Sequence, residues 1–186
     1  MHVEIITLRK KNINDFARER NLLLKKSKAE WVLFLDYDEV MPAELKKEID
    51  RLNPDGFKGF YIFRKNYFLG KPIGTDKILR LAKKDSSKWS RKVHEVWTVN
   101  GKIGTLKNPI IHTTAKNLTE YISKINYYST LHAEENFNSG KLSSLFKIIF
   151  YPPAKFLQSL VMGRGFVFSM LQSFHSFLAW SKEYFL

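Results

Sequence analysis

The 186-residue chain contains no cysteine, which excludes disulfide scaffolds, thiolate metal sites and cysteine nucleophiles. Acid is scarce: 18 Asp and Glu stand against 31 Lys and Arg, a formal net charge of +13. Such an imbalance calls for an anionic partner, whether a phosphorylated substrate, nucleic acid or an acidic membrane surface. Also lacking is the clean apolar run of ~20 residues that a membrane-spanning helix wants. The opening Met1-His2-Val3-Glu4-Ile5-Ile6 has no basic segment leading into a long apolar one, so no secretory signal is expected, and the cytoplasm is the expected compartment. With 44% hydrophobic and 26% charged residues, wholesale disorder and multi-span membrane architecture are set aside.

What the chain does have is aromatic side chains, 15% of the total, unevenly spread. After Gly140 come only five basic residues (Lys141, Lys147, Lys155, Arg164, Lys182) and one acid, Glu183, but 11 of the 27 aromatics. The expected organisation is a catalytic or binding domain over 1–140 and an aromatic-rich helical segment over 141–186. Between Gly165 and Ser181 there is no charge, and Phe166, Met170, Phe174 and Phe177 recur at helical spacing. That pattern fits an amphipathic helix lying in a bilayer interface, or a face that packs on protein.

Before Gly140 the hydrophobic period alternates between that of strands and that of helices, which predicts an α/β fold. Val3–Ile6 reads as a strand and 13–26 as an amphipathic helix. Trp31-Val32-Leu33-Phe34-Leu35 is an unbroken apolar run, as in a strand covered on both faces. Pro42 opens a short helix. Strand patterns come next over 60–68, 78–82, 93–99, 102–106 and 110–112, with Asn100-Gly101 as a hairpin signal. Asn117-Leu118-Thr119-Glu120 reads as a capping box for a long helix.

Asp36-Tyr37-Asp38-Glu39 leaves the end of the apolar strand, where open α/β sheets place ligands. Carboxylates at i and i+2 can share a hard cation such as Mg²⁺ or Mn²⁺ that also holds a diphosphate. The same run also fits a solvated acidic turn before the Pro42 helix. Arg64, Lys65, Arg80 and Arg91 are candidates for binding a diphosphate, Arg80 foremost because Leu79 and Leu81 flank it in a strand. His94-Glu95 is a candidate acid/base pair but not a zinc peptidase motif. His112 fits either an additional ligand or a satisfied strand-end histidine.

Taken in order, Asp15-Phe16-Ala17-Arg18-Glu19-Arg20-Asn21, 30–39, Gly59–Asn66, Arg80-Leu81, Val93-His94-Glu95, Pro109–His112 and the helix around Asn126 and Tyr127 resemble family 2 glycosyltransferases, nearest the lipopolysaccharide-core glucosyltransferase-like branch. The resemblance implies a partial GT-A mixed sheet with helices, followed by C-terminal amphipathic helices. It implies that Asp36 faces the ribose and diphosphate of a nucleotide sugar together with Arg80, and that Asp38, with Asp36, ligates a divalent cation. Glu95 would be the general base of an inverting transfer, with His94 orienting it or touching phosphate, and Glu39 would support the site or cap a helix. The strands that carry the family's Asn-Glu turn and base-reading Asp have no counterpart ahead of Asp36. The resemblance therefore implies a chain lacking the nucleotide-binding half, with a partner chain as one way to supply it.

The expected function is sugar transfer from a nucleotide-sugar donor to a lipid-linked or cell-envelope saccharide at the cytoplasmic membrane face, with peripheral contact through the C-terminal helices. The alternative is a non-catalytic basic module that docks on anionic lipid. Nucleic-acid binding is not expected, because no Arg-rich helix, zinc pattern or RNP-like strand pair appears.

Overall fold

The structure, a computed structural model, describes residues 2–8, 13, 15–91 and 95–186. It forms two compact units, Met1–Asn66 with Thr75–His112, and Tyr67–Gly74 with Thr113–Leu186.

In the first unit, β1 (Val3–Thr7) leads to α1 (Phe16–Lys26), then β2 (Trp31–Leu35), the short β3 (Glu39–Val40) and α2 (Ala43–Asp50). The long strands β4 (Gly59–Phe68) and β5 (Lys71–Lys83) are joined by Leu69-Gly70, and β6 (Ser87–Ser90), β7 (Val96–Val99), β8 (Ile103–Thr105) and β9 (Ile110–Thr113) come after them. The resulting mixed sheet runs β1-β2-β5-β4-β9-β3, with β8 alongside β4, and β6 pairs with β7 in a separate ribbon. Strand β2 runs parallel to β1 and antiparallel to β5, where Leu33 stands opposite Leu81.

All five residues of β2 are buried, and the two faces of the strand explain why none is polar. Trp31, Leu33 and Leu35 pack on Leu45 and Ile49 of α2 with Phe60, Ile62, Leu81 and Ile110. Val32 and Phe34 pack on Ala17 and Leu24 of α1 and on the ribbon residues Trp89 and Trp97. The two indoles stack 5.0 Å apart, and each meets the Phe34 ring edge to face. Helix α1 begins at Phe16 rather than Ile13, because the Asp15 carboxylate accepts from the Arg18 N–H at 2.8 Å and caps it.

Two readings change. Leu69 and Gly70 both have positive φ (48° and 78°), as in a tight two-residue hairpin turn, so the pattern beginning near Ile78 belongs to a strand that starts at Lys71. Asn100-Gly101 does not close a hairpin: β7 pairs antiparallel with β6, whereas β8 runs parallel to β4, so this turn hands the chain from ribbon to sheet.

In the second unit, α3 (Leu118–Asn138), α4 (Leu145–Val161) and α5 (Phe166–Tyr184) pack together. Asn117 Oδ1 accepts from the Glu120 N–H, while Glu120 reaches back to the Lys116 N–H rather than to Asn117. Phe68 and Ile73 from the hairpin tip pack with Tyr121, Ile125 and Phe168. Where α4 meets α5, Ser169 donates to Ser159, both buried, and the Tyr151–Trp180 and Phe156–Phe166 ring pairs meet edge to face. Large side chains also point outward, among them Leu145, Phe146, Ile149 and Phe150 of α4 and Phe166, Met170, Phe174 and Phe177 of α5. No helix of the described residues is long and apolar enough to cross a membrane.

The β4–β8 pairing rests on a missing side chain. Gly104 lies opposite Phe60, and a Cβ there would fall 2.6 Å from the buried Phe60 ring. Gly104→Ala should therefore cost about 1–3 kcal/mol through overpacking, read as a lowered urea midpoint; an unchanged midpoint would show that this pairing does not constrain the fold.

Candidate active site

The site grows from the carboxyl end of β2, where the apolar run stops and Asp36 begins a tight turn. The turn is braced reciprocally: the Glu39 N–H donates to the Asp36 carbonyl at 3.0 Å, and the Asp36 N–H donates to Glu39 Oε2 at 2.9 Å. The Glu39 side chain is fully buried and accepts from Arg80 Nη2 (2.8 Å) and Arg64 Nη1 (3.1 Å) through Oε1. Glu39 is thus a structural anchor of the turn and does not cap α2, whose N-cap, Pro42, has no side-chain cap.

Asp36 sits between two guanidiniums. Its Oδ1 accepts from Arg20 Nη2 on α1 at 2.5 Å, and its Oδ2 accepts from Arg80 Nη2 on β5. Burial opposes ionisation of Asp36, but the charges of Arg80 and then Arg20 outweigh it and hold the carboxyl well below its usual range. Arg20 also donates its Nε to Glu95 Oε1 at 3.1 Å, and its guanidinium lies 4.6 Å from the Trp89 ring centroid. One arginine therefore ties Asp36 to Glu95, residues 59 positions apart that stand out separately in the sequence. His94 lies outside the described residues.

A second arm begins at Asp38. His112, opposite Glu39 in the β3–β9 pair, places Nε2 3.6 Å from Asp38 Oδ1. Its Nδ1 stands 2.7 Å from Asn66 Oδ1, and Asn66 donates its amide N–H to Asp76 at 2.7 Å. Because that amide is the donor toward Asp76, Asn66 Oδ1 is an acceptor and His112 Nδ1 carries the proton. His112 Nε2 then faces the Asp38 carboxylate, with room for a proton or a cation between them. Asp76 closes the arm by accepting both Nε (3.1 Å) and Nη2 (2.6 Å) of Arg64. Burial again opposes the charge on Asp76, and its bonds to Arg64 and Asn66 more than compensate, so its carboxyl is held below the ordinary value.

The polar chain thus runs from Asp38 through His112, Asn66, Asp76, Arg64, Glu39, Arg80, Asp36 and Arg20 to Glu95. Counted over these residues it holds five carboxylates and three guanidiniums. Two buried donors within it, Arg20 Nη1 and Arg80 Nε, have no hydrogen-bond partner among the described residues.

These features bear on the expected cation. No group of three or more His, Asp or Glu side chains converges as a ready-made metal site among the described residues. Asp38 and His112 offer an oxygen and a nitrogen donor, and the formal deficit of two positive charges matches a divalent ion, so these two residues fit one whose other ligands come from substrate. Asp36 fits the ligand role less well, since each of its oxygens already accepts from an arginine.

Asp36, Asp38, Arg80 and Glu95 stand out in the sequence, whereas the connecting role of Arg20 was missed there. The signal was present: Ala17, Arg20 and Leu24 are the buried positions of α1, so an arginine stands on the apolar stripe. Asp76 gave no such sign. Of the other proposed diphosphate binders, Arg64 is committed to Asp76 and Glu39, while Lys65 and Arg91 are exposed.

No family model matches the chain. It is 27% identical over 186 aligned residues to the lipopolysaccharide core biosynthesis glycosyltransferase LpsC of Rhizobium meliloti, a match covering 91% of this chain and 69% of that protein. The chain thus has a glycosyltransferase relative, and its mixed α/β sheet is consistent with part of such a fold.

Because its folded pKa is depressed, Asp36 contributes stability that is fully present above the ordinary aspartate value of 3.8 and is lost as the pH falls through the folded value. Asp36→Asn should lower the urea midpoint near neutrality and reduce the further loss on acidification. An acid limb as steep as that of the unaltered protein would contradict the pairing.

Proposed function

We propose that the chain transfers a sugar from a nucleotide-sugar donor to a saccharide acceptor of the cell envelope, with inversion at the anomeric carbon. The observation that carries this reading is the polar chain joining Asp36, Asp38 and Glu95, and the glycosyltransferase relative supports it. Glu95 takes the proton of the acceptor hydroxyl, the resulting oxygen attacks the anomeric carbon, and the bond from that carbon to the diphosphate breaks. The electron pair leaves with the nucleoside diphosphate. Arg20 and Arg80 each retain a buried N–H donor, which suits the charge that develops on the leaving group. Asp38 and His112 would hold a divalent cation, which when bound neutralises diphosphate charge. Asp36 orients the two arginines and stands beside the donor ribose.

In an assay of the full chain with UDP-glucose, Mn²⁺ and a lipopolysaccharide-core acceptor, Glu95→Gln should lower kcat by about a hundredfold or more while leaving donor affinity near that of the unaltered protein. Asp38→Ala should weaken metal-dependent donor binding. Turnover unchanged by Glu95→Gln would remove the assignment of the base.

A second property is proposed for the helical unit: docking on an anionic bilayer at the cytoplasmic face. The outward apolar side chains of α4 and α5 favour this reading, together with Lys141, Lys147, Lys155 and Arg164 and the burial of Glu183, the only acid after Gly140. Were docking the chain's whole function, it would bind lipid and show no nucleotide or metal affinity. Vesicles of phosphatidylglycerol and phosphatidylcholine should retain the protein in a salt-sensitive manner, and Ile149→Ser with Phe150→Ser should release it. Equal retention by neutral vesicles would refute the electrostatic part, and full retention of the double variant would refute the face.

A further inference from the structure

Between α1 and the ribbon strand β6 lies an open groove of about 540 Å³, a volume within the range of small-molecule sites. Arg18 and Lys25 reach it from the helix, and Lys88 and Arg91 from the ribbon. Four cations therefore line one depression, with Asp15 as the one acidic residue beside them among the described residues. Asp15 is already engaged as the cap of α1, accepting from the Arg18 N–H. The side chains of Arg18, Lys25 and Lys88 make no ion pair among the described residues. Like charges gathered on two separate elements repel one another, and an anion settling between them removes that repulsion.

The floor of the groove is firm. Asn21 grips the backbone of Trp89 from both sides, its Nδ2 donating to the Trp89 carbonyl at 2.8 Å and its Oδ1 accepting from the Trp89 N–H at 2.9 Å. This pair of hydrogen bonds pins helix to ribbon and fixes the spacing between Arg18 and Lys25 on one wall and Lys88 on the other. Trp89 lines the groove, and its indole N–H is buried without an acceptor among the described residues. The Ser90 hydroxyl donates to the Val96 carbonyl at 3.3 Å and leaves its oxygen able to accept, and Asn21 has a second amide N–H beyond the one given to Trp89. Arg91, at the rim, holds a positive φ of 70°, a strained conformation for a residue with a side chain.

The groove adjoins the candidate active site through shared residues. Trp89 is both part of its lining and the ring on which the Arg20 guanidinium lies, and Arg20 holds Glu95. A molecule seated over Trp89 is therefore close in the fold to the carboxylate assigned as the base. Its cations, amide and hydroxyl suit a ligand that is anionic and rich in hydroxyls.

We propose that this groove binds an anionic saccharide, a sugar chain bearing phosphate or carboxylate groups, and that it is the acceptor subsite of the transfer reaction. The acceptor role rests on the reading given under the proposed function, whereas the binding itself does not. Phosphate or carboxylate groups sit among Arg18, Lys25 and Lys88, and the sugar ring lies toward Trp89.

Calorimetric titration of the full chain with glucose 6-phosphate, glucuronate, glucose and inorganic phosphate, with no nucleotide sugar present, tests the binding. At least one anionic sugar should bind about tenfold or more tightly than both glucose and inorganic phosphate, and added salt should weaken it. The sugar that binds identifies which anionic group is read. Lys25→Glu with Lys88→Glu should cost about tenfold or more in that affinity, and Arg18→Gln a smaller factor in the same direction. Both lysines are exposed, so an unchanged thermal midpoint checks that the double variant is folded. Absence of anionic-sugar binding, equal binding of glucose or of phosphate alone, or undiminished affinity in the folded double variant would overturn the proposal. Because the titration contains no donor, its outcome is independent of turnover: anionic-sugar binding by a chain that transfers no sugar in the donor assay would leave the groove standing and remove only its acceptor role, whereas transfer without such binding would remove the groove and leave the proposed function standing.

Discussion

The fold around β2 depends on neutralising the carboxylates that leave its end. The Glu39 side chain is completely buried, and Asp36 is only about a quarter exposed. Charges so placed are tolerable only when paired, since removing one partner of a buried pair typically costs about 3–5 kcal/mol, a large share of a domain's total stability. The partners come from far apart in the chain: Arg20 from the helix before β2, Arg80 from the antiparallel neighbour β5, and Arg64 from β4. Helix position, strand pairing and turn geometry are thus conditions of one another. Arg80 gains from this what it costs to bury: burial disfavours its charge, and Asp36 and Glu39 restore it.

How legible this was differs by residue, and the difference is physical. Strand β2 announced itself because burial on both faces excludes polar residues, and that demand is local. The start of α1 was misjudged by three residues because Ile13 continues the apolar pattern while Asp15 sets the first turn by capping it. Asn100-Gly101 has the residues of a hairpin turn, but the partner of the strand beyond a turn is decided by which strand edge is open, and β8 found that of β4. Asp36, Asp38 and Glu95 were visible as carboxylates near strand ends. Their connection was not, since it passes through Arg20, Asn66 and Asp76, whose roles exist only when strands separated in sequence are brought together.

The charge of the protein is partitioned in a way the net value conceals. A chain with a formal charge of +13 carries, along its polar network, five carboxylates and three guanidiniums. Negative charge is concentrated along the network to which the proposed function gives the proton uptake and the cation, and positive charge lies in the groove beside Trp89 and on the helical unit. Each sign is placed against the opposite sign of a proposed partner. Surface cations in water cost little to maintain, whereas inner carboxylates need the full set of arginines, so the first can be varied without disturbing the second.

The helical unit departs in part from the usual packing logic. Helices that associate in water usually place large apolar side chains between them and polar ones outside. Here α4 and α5 meet at Ser159 and Ser169 and through the Tyr151–Trp180 and Phe156–Phe166 pairs, and Ser173 donates to the Pro152 carbonyl, while Phe146, Phe150 and Phe174 face outward. Small residues at the contact let the helices approach closely, a device of helix pairs that meet in lipid. In the proposed docking, the outward aromatic face would supply the apolar burial and the flanking lysines the attraction. Neither helix needs to cross the bilayer for this: Phe166 also meets Phe156 edge to face across the pair, whereas Phe146, Phe150 and Phe174 remain for the surface.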